Sequence, residues 1–151
     1  MKTNLIYLLT GLVLLLSCKK GDEDKTPGTP GSLLQSFKAQ EVKEGTVVVF
    51  QLGGSGNIIP GYANYRLRFS KNILGGNEVK LTEYSGETFE GTWVYDAAGS
   101  KLTLTNLSPR PAAGDMVFDV EKLEANSLVL LNTAPNPKTG ETINRYMLVP
   151  E

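Results

Sequence analysis

Apolar and polar residues alternate with a period of two in short stretches along most of the chain beyond residue 32. Successive side chains of a β-strand point to opposite faces, so this alternation predicts strands with one buried face and one solvated face. Turn residues interrupt the pattern about every eight to twelve positions, a spacing typical of all-β sandwiches and barrels. The segments that fit are 36–42, 46–52, 64–70, 78–84, 88–96, 101–106, 115–123, 127–132 and 142–149.

Most of these nine predicted strands are separated by tight turns, which favours an antiparallel up-and-down meander. Only residues 33–37 carry a trace of helical periodicity, enough for a turn or two. Closing a meander on itself removes its unpaired edges. We therefore predict an all-β fold, closed into a barrel of eight to nine strands rather than left as an open sandwich.

The N-terminal residues differ in composition from the rest of the chain. After Met1 and Lys2, residues 5–16 are almost wholly apolar. This run is too short to span roughly 30 Å of hydrocarbon, and it has the dimensions of a secretory signal peptide. It ends in LLSC at positions 15–18, which resembles the lipobox of bacterial lipoproteins. The resemblance implies cleavage before Cys18 and acyl chains on that residue, which would anchor the chain in a membrane. The alternative is ordinary signal cleavage that leaves Cys18 as a free thiol.

Residues 19–32 contain no apolar side chain and are rich in Pro and Gly, which is typical of a flexible tether. We expect three parts: a signal peptide over 1–17, acylated Cys18 with a tether over 18–32, and the barrel over 33–151. Two lysines followed by the acidic residues 22–24 resemble the signal that sends Bacteroidetes lipoproteins to the cell surface. We therefore expect an outer-membrane location, and the cell surface is favoured over the periplasmic leaflet.

Composition excludes several classes of function. The chain has 15 Lys and Arg against 16 Asp and Glu, so no basic surface for nucleic acid is predicted. It has no histidine, which excludes histidine-based acid–base catalysis and histidine metal ligation. With one cysteine, the domain cannot form an internal disulfide. We expect neither a cofactor nor a metal site.

Two pairs of strands resemble a known family. Residues 91–96 read GTWVYD and are followed by the alternating KLTLT at 101–105, and the strands at 118–123 and 127–130 are similarly paired. This pattern resembles the small lipocalin-like lipoproteins of Bacteroidetes over about residues 33–149. The resemblance implies a lipocalin-like barrel and no particular ligand. One departure concerns the first strand, where residues 35–37 read QSF instead of the family's Gly-x-Trp, so this strand is expected either to close the barrel floor differently or to belong elsewhere.

In a strict meander, successive connections alternate between the two ends of the barrel. The long loops 53–63, 107–114 and 133–141 would then share one end. The tight turns near Gly45, Gly99 and Asn126 and the loop 71–77 would share the other. The first strand, and with it the tether, would start at the long-loop end. Long loops on a rigid scaffold often carry binding sites, although tolerated insertions have the same appearance.

Aromatic side chains on the predicted inner faces are the candidate ligand-binding residues. Phe89, Trp93 and Tyr95 share one face of their strand, and Phe118 lies on the inner face of another. They could line an apolar cavity. The alternative is that they form the core, since an eight-stranded barrel is just wide enough for its own side chains.

Charged residues offer weaker candidates. Glu83, Glu87 and Glu90 crowd one hairpin and could pair as acid and base, or could be ordinary surface charge. Arg66 and Arg68 could lie across an aromatic ring, or could be solvated. We expect no catalytic residues and no enzymatic activity.

The sequence therefore predicts a non-catalytic lipoprotein of the bacterial envelope that contacts the membrane through Cys18 and binds a small apolar ligand. The alternative is a protein- or glycan-interaction module, an inhibitor or an envelope scaffold, that acts through its Pro- and Gly-rich loops; its protein partner stays unspecified. A cavity lined by Trp93, Tyr95 and Phe118 would favour the first function. A filled interior with exposed apolar residues over 58–60 would favour the second.

Overall fold

A computed structural model describes residues 29–151. The predicted signal peptide, Cys18 and residues 19–28 of the predicted tether lie outside these residues. The strands are β1 Ser36–Glu44, β2 Val47–Gln51, β3 Arg66–Lys71, β4 Asn77–Thr82, β5 Thr88–Asp96, β6 Lys101–Ser108, β7 Met116–Glu124, β8 Ser127–Asn132 and β9 Asn144–Pro150. All nine predicted strands are confirmed, with ends within two residues of those expected.

Three short 3-10 helices complete the described chain: η1 Pro30–Leu33, η2 Pro60–Asn64 and η3 Pro137–Thr139. The first of them overlaps the last residues of the predicted tether and the start of the expected helical turn. Within residues 29–151, no helix is both long and apolar enough to cross a membrane.

The strands form one antiparallel sheet that closes on itself. From β3 to β9 each strand pairs with the next, and β9 returns to pair with β1. Eight strands therefore make the barrel wall, and β2 is an additional strand that pairs with β1. The predicted fold class is confirmed: the protein is an all-β, closed antiparallel barrel of eight strands with a ninth strand beside it.

The expected strict meander fails at β2. Both β2 and β3 pair with the same side of β1: β3 with residues 36–38 and β2 with residues 41–44. Because both are antiparallel to β1, they run in the same direction. Residues 52–65 leave the sheet and return to almost the same point, since Leu52 N donates to Gln40 O (2.7 Å) and Ala39 N donates to Tyr65 O (3.4 Å). β2 and β3 therefore lie end to end along the same side of β1, with residues 52–65 between them.

This arrangement corrects three expectations about the ends of the barrel. The Gly45 turn lies beside the long loop before β9, with Gly45 N donating to Ile143 O at 3.0 Å. The chain enters β1 at the opposite end from that loop. Of the three long loops predicted to share an end, 107–114 and 133–141 do so, as the directions of β6 to β9 show, whereas 53–63 leaves and rejoins the sheet beside the middle of β1. We call the end with loops 107–114 and 133–141 the open end, and the end with η1 and the turns at 72–76, 97–100 and 125–126 the closed end.

The barrel interior is filled with side chains through its middle and its closed end. Phe69 packs edge-to-face against Phe37 (ring centroids 6.2 Å apart) and Trp93 (5.5 Å). Phe37 belongs to the QSF segment, which differs from the family's Gly-x-Trp, and its side chain is fully buried. Leu33 of η1 is also fully buried, and Gln35 Nε2 donates to Ala125 O at 3.2 Å across the closed end. The floor is therefore closed by Leu33 and Phe37.

Candidate functional site

A cavity of about 160 Å³, partly open to solvent, lies in the mouth of the barrel at the open end. Its deep surface is formed by inward-facing residues of four strands or their flanks: Tyr65, Leu81, Phe118 and Tyr146. Loops between β6 and β7 and between β8 and β9 form its two walls. They contribute small or rigid side chains, namely Pro111, Ala112, Ala113, Ala134, Pro135 and Pro137. Small side chains leave space between the loops, and the prolines restrict the loop backbone.

The deep surface of the cavity is a cluster of buried aromatic rings. Tyr65 and Tyr146 stack with centroids 4.9 Å apart and an interplanar angle of 16°. Tyr146 also packs edge-to-face against Phe118 at 6.2 Å. Tyr62 of η2 packs against both tyrosines, and its hydroxyl donates to Glu44 Oε1 at 2.8 Å. Burial raises the pKa of Tyr65 well above its ordinary value and that of Tyr146 to about 12. Both phenols are therefore neutral at physiological pH.

Three charged side chains, Lys138, Glu83 and Glu87, form a cluster at the rim of the cavity, which we call the latch. Lys138 of η3 donates to Glu83 Oε2 (2.6 Å) and to Glu87 Oε2 (3.2 Å), and its ammonium lies 5.5 Å from the centroid of the Phe89 ring. Burial lowers the pKa of Lys138, but the hydrogen bonds to the two carboxylates outweigh that effect, so the pKa is raised overall. The latch joins the loop before β9 to the turn between β4 and β5.

Side-chain hydrogen bonds hold the loop before β9 in shape. Asn144 is fully buried, and its Oδ1 accepts from Thr139 Oγ1 (3.1 Å) and Thr142 Oγ1 (2.7 Å). Asn136 Oδ1 accepts from Lys138 N at 3.0 Å at the start of η3. These contacts fix one wall of the cavity, so the space is preformed.

One polar atom of the cavity lacks a partner. Asn132 lines the cavity at the end of β8, and its Oδ1 is buried without a hydrogen-bond donor among the described residues. A buried acceptor left unpaired costs roughly 1–3 kcal/mol. That oxygen has almost no accessible surface, so a ligand in the cavity could donate a hydrogen bond to it only after a rotation of the Asn132 side chain.

Comparison with known proteins yields structural similarity only. The structure is similar to a lipocalin-like protein from Bacteroides uniformis ATCC 8492, with 14% sequence identity, a TM-score of 0.46, and coverage of 80% of this chain and 100% of that one. It is also similar to an uncharacterized protein from Bacteroides eggerthii DSM 20697, with 14% identity, a TM-score of 0.47, and coverage of 79% and 99%. No family model and no curated protein matches the sequence. The fold assignment rests on the closed barrel itself.

The four predicted ligand-binding residues occupy different places. Phe118 lines the cavity. Phe89 is buried beneath Lys138, and Trp93 is buried in the core with Nε1 3.5 Å from Ser70 O. Tyr95 is half-buried near the closed end, where β5 finishes. Only Phe118 reaches the cavity, and ligand binding by the aromatic set stays a prediction.

The charged candidates are also separated. Glu83 and Glu87 meet at Lys138, whereas Glu90 lies on the outer surface, 2.9 Å from Lys80, whose hydrogen bond lowers the pKa of that carboxyl group. The three carboxylates do not converge. The two arginines likewise face outward: Arg66 pairs with Glu151 at 2.7 Å, and Arg68 is exposed.

Sequence reasoning missed most of the residues that form the cavity. They include Tyr65, Asn132, Lys138 and Tyr146, whereas Glu83 was considered only as a partner of Glu87 and Glu90. The available signal was the pair of proline-containing loops at one end, which indicated the right region. It could not indicate which strand residues lie beneath the loops. Within residues 29–151, no three acidic, histidine or cysteine side chains are grouped as a metal site would require.

Proposed function

We propose that the protein is a bacterial envelope lipoprotein, held in the outer membrane by acyl chains on Cys18, whose barrel is non-catalytic and binds a small amphipathic ligand at its open end. The observation that carries the binding function is the preformed cavity of about 160 Å³ with apolar walls and a buried, unpaired acceptor on Asn132. An apolar pocket with a few convergent polar groups is the usual form of a small-molecule site.

The size of the cavity limits the ligand. Drug-sized molecules occupy pockets of about 300–1,000 Å³, whereas a cavity of about 150 Å³ is enough for one benzene molecule. The ligand, or the part of it that enters, is therefore a single ring or a short branched alkyl group. A larger molecule would leave its remainder outside the rim.

Charge and hydrogen bonding limit its chemistry further. The rim latch has two carboxylates and one ammonium, a local net charge of −1, which disfavours an anionic group. A rotation of the Asn132 side chain would expose Oδ1 to the cavity, where it would favour a ligand that donates a hydrogen bond. A neutral or cationic ligand with a hydroxyl or amine group on a compact apolar body meets both conditions.

Binding can be tested on the full-length protein with phenol and benzene, which have nearly the same shape and differ in one hydroxyl group. We expect both to shift the NMR signals of cavity residues, and phenol to bind more tightly. Asn132→Leu should abolish the preference for phenol while benzene still binds. Failure of either probe to shift the signals at millimolar concentration would contradict the proposed site.

Filling the cavity provides a second test. Ala113→Trp and Ala134→Trp introduce a bulky ring from opposite walls and should each weaken phenol binding strongly. Ala98→Trp places the same ring on an exposed turn at the closed end and is the matched control. Equal loss in all three variants would show that binding does not depend on the cavity.

The anchor needs its own experiment. We expect the natural protein to fractionate with membranes and to carry acyl chains by mass spectrometry, and Cys18→Ala to be released. Protease treatment of intact cells would degrade a surface-exposed domain and spare a periplasmic one. A natural protein found in the soluble fraction without acyl chains would contradict the proposed anchor.

A second candidate function is a protein- or glycan-interaction module, and the surface around β2 favours it. Four large apolar side chains are well exposed there: Val47 (51%), Val48 (39%), Leu52 (50%) and Ile58 (65%). The neighbouring segment gives mixed support, since Pro60 is exposed but Ile59 packs partly against the core. An incompletely paired strand with exposed apolar side chains can accept a partner's strand.

Crosslinking in intact envelopes would test this second function. We expect the natural chain to capture a partner that the double variant Leu52→Asp, Ile58→Asp loses, while phenol binding is unchanged. Identical crosslinks for both chains would remove the case for an interaction surface at β2.

A further inference from the structure

The loop between β3 and β4 presents two apolar side chains to solvent at the closed end. Ile73 is 99% exposed and its neighbour Leu74 is 91% exposed. Among residues 29–151 these are the most exposed large hydrophobic side chains. Isolated exposed apolar residues are common, but an adjacent pair at the tip of a loop indicates contact with an apolar partner. We call this pair the apolar tip.

The backbone of the loop holds the tip outward. Asn72 Oδ1 accepts from Leu74 N (3.0 Å) and Gly76 N (2.8 Å), and Asn72 N donates to Gly76 O at 2.9 Å. Gly75 has a positive φ of 82° and donates to Asn72 O at 2.9 Å. Because the turn satisfies most of its own polar groups, moving the tip into an apolar medium leaves few of them without a hydrogen-bond partner.

The tip lies at the end of the barrel where the chain enters. Gln35, just after η1, accepts from Phe69 N at 3.0 Å, and Phe69 belongs to the strand that leads to the tip. Leu34 beside it is 41% exposed. Ten residues lie between Cys18 and Thr29, so the two α-carbons can be at most about 40 Å apart. A bilayer that holds Cys18 is thus within reach of the tip.

We infer that the closed end of the barrel rests on the lipid bilayer, with Ile73 and Leu74 inserted at the boundary between headgroups and acyl chains. This inference rests on the proposed acyl anchor at Cys18. Burial of two such side chains favours the contact by roughly two to four orders of magnitude, and the tether keeps the tip at a high effective concentration near the surface. Exposed Lys71, next to the loop, is placed to meet anionic headgroups.

The contact can be measured on the acylated full-length protein in vesicles of phosphatidylethanolamine and phosphatidylglycerol. Leu74→Cys is labelled with an environment-sensitive dye. Acylation consumes the Cys18 thiol, the only one in the natural chain, so the introduced cysteine is uniquely reactive. Ile58→Cys, at an exposed apolar residue in the loop after β2, is the matched control. Brominated lipids then report the depth of each dye.

We expect a blue-shifted dye at position 74 that brominated lipids quench several-fold more than the dye at position 58. Ile73→Ser in the labelled protein should reduce that quenching, while the protein stays in the membrane fraction. Equal, weak quenching at both positions in acylated protein would overturn the tip contact and leave the anchor intact. Absence of acyl chains by mass spectrometry would overturn the anchor, and with it this inference.

Discussion

The buried tyrosines make the stability of the barrel sensitive to alkaline pH, and Tyr146 allows the effect to be calculated. Its pKa is raised by burial from 10.0 to about 12 in the folded protein. A raised folded-state pKa means that the stabilising contribution is fully present below pH 10, where the phenol is neutral in both states. It is lost as the pH rises towards 12, because only the unfolded chain then ionises.

The size of the loss follows from the two pKa values. Each pKa unit corresponds to 1.36 kcal/mol, so Tyr146 contributes a loss of about 1.4 kcal/mol at pH 11 and about 3 kcal/mol well above pH 12. Tyr146→Phe removes this loss of stability at high pH. It also removes the hydroxyl that accepts from buried Asn144 Nδ2 at 3.3 Å, which costs about 1–2 kcal/mol at every pH.

We therefore expect Tyr146→Phe to be less stable than the natural protein at pH 7 and equally stable near pH 11. Urea unfolding followed by far-UV circular dichroism at pH 7, 10 and 11 measures the free-energy difference directly. Phe118→Leu is the control: it alters the same cluster without an ionisable group, so its cost of about 1–3 kcal/mol should not change with pH. A difference between Tyr146→Phe and the natural protein that stays constant from pH 7 to pH 11 would refute the reasoning.

Two further predictions concern the barrel itself, and urea unfolding measures both. Gly91→Ala should destabilise the domain by about 2–3 kcal/mol, because a Cβ at this position would lie 2.5 Å from Thr105 O, where the register of β5 and β6 shifts. Gly56→Ala is the control: a Cβ there would have no atom within 4 Å, so stability should change by less than about 0.5 kcal/mol. Leu33→Ala should cost about 2–5 kcal/mol because the side chain is fully buried at the closed end, whereas Leu34→Ala, 41% exposed, should cost far less. Equal effects within either pair would contradict the assigned packing.

The strands could be predicted because each carries its own evidence. Leu67 and Phe69 alternate with arginines, and Leu102 and Leu104 alternate with threonines, and the barrel buries these four apolar side chains as the period of two requires. Such a pattern is local, so it can be recognised without knowledge of the tertiary structure. The closure into a barrel followed from the number of strands and the need to pair their edges.

The direction of β2 relative to β3 could not be read in this way. It depends on which residues of β1 each strand pairs with, and that is decided by the excursion over 52–65. The residues that line the cavity could not be predicted from the sequence for the same reason. Lys138 lies 55 positions from Glu83, and only the folded barrel brings their side chains to 2.6 Å.

The error at β2 matters because it decides which way the cavity faces. In a strict meander, the tether and the long loops would share an end, and an anchor at Cys18 would hold the cavity against the bilayer. Since β2 and β3 run in the same direction, the described chain enters the barrel at the closed end and the cavity faces away from that end. With Cys18 anchored as proposed, a ligand would enter from the aqueous side, so phenol should bind equally well to the acylated protein in vesicles and in detergent. A large loss of phenol affinity in vesicles would mean that the bilayer covers the open end, which is incompatible with this orientation.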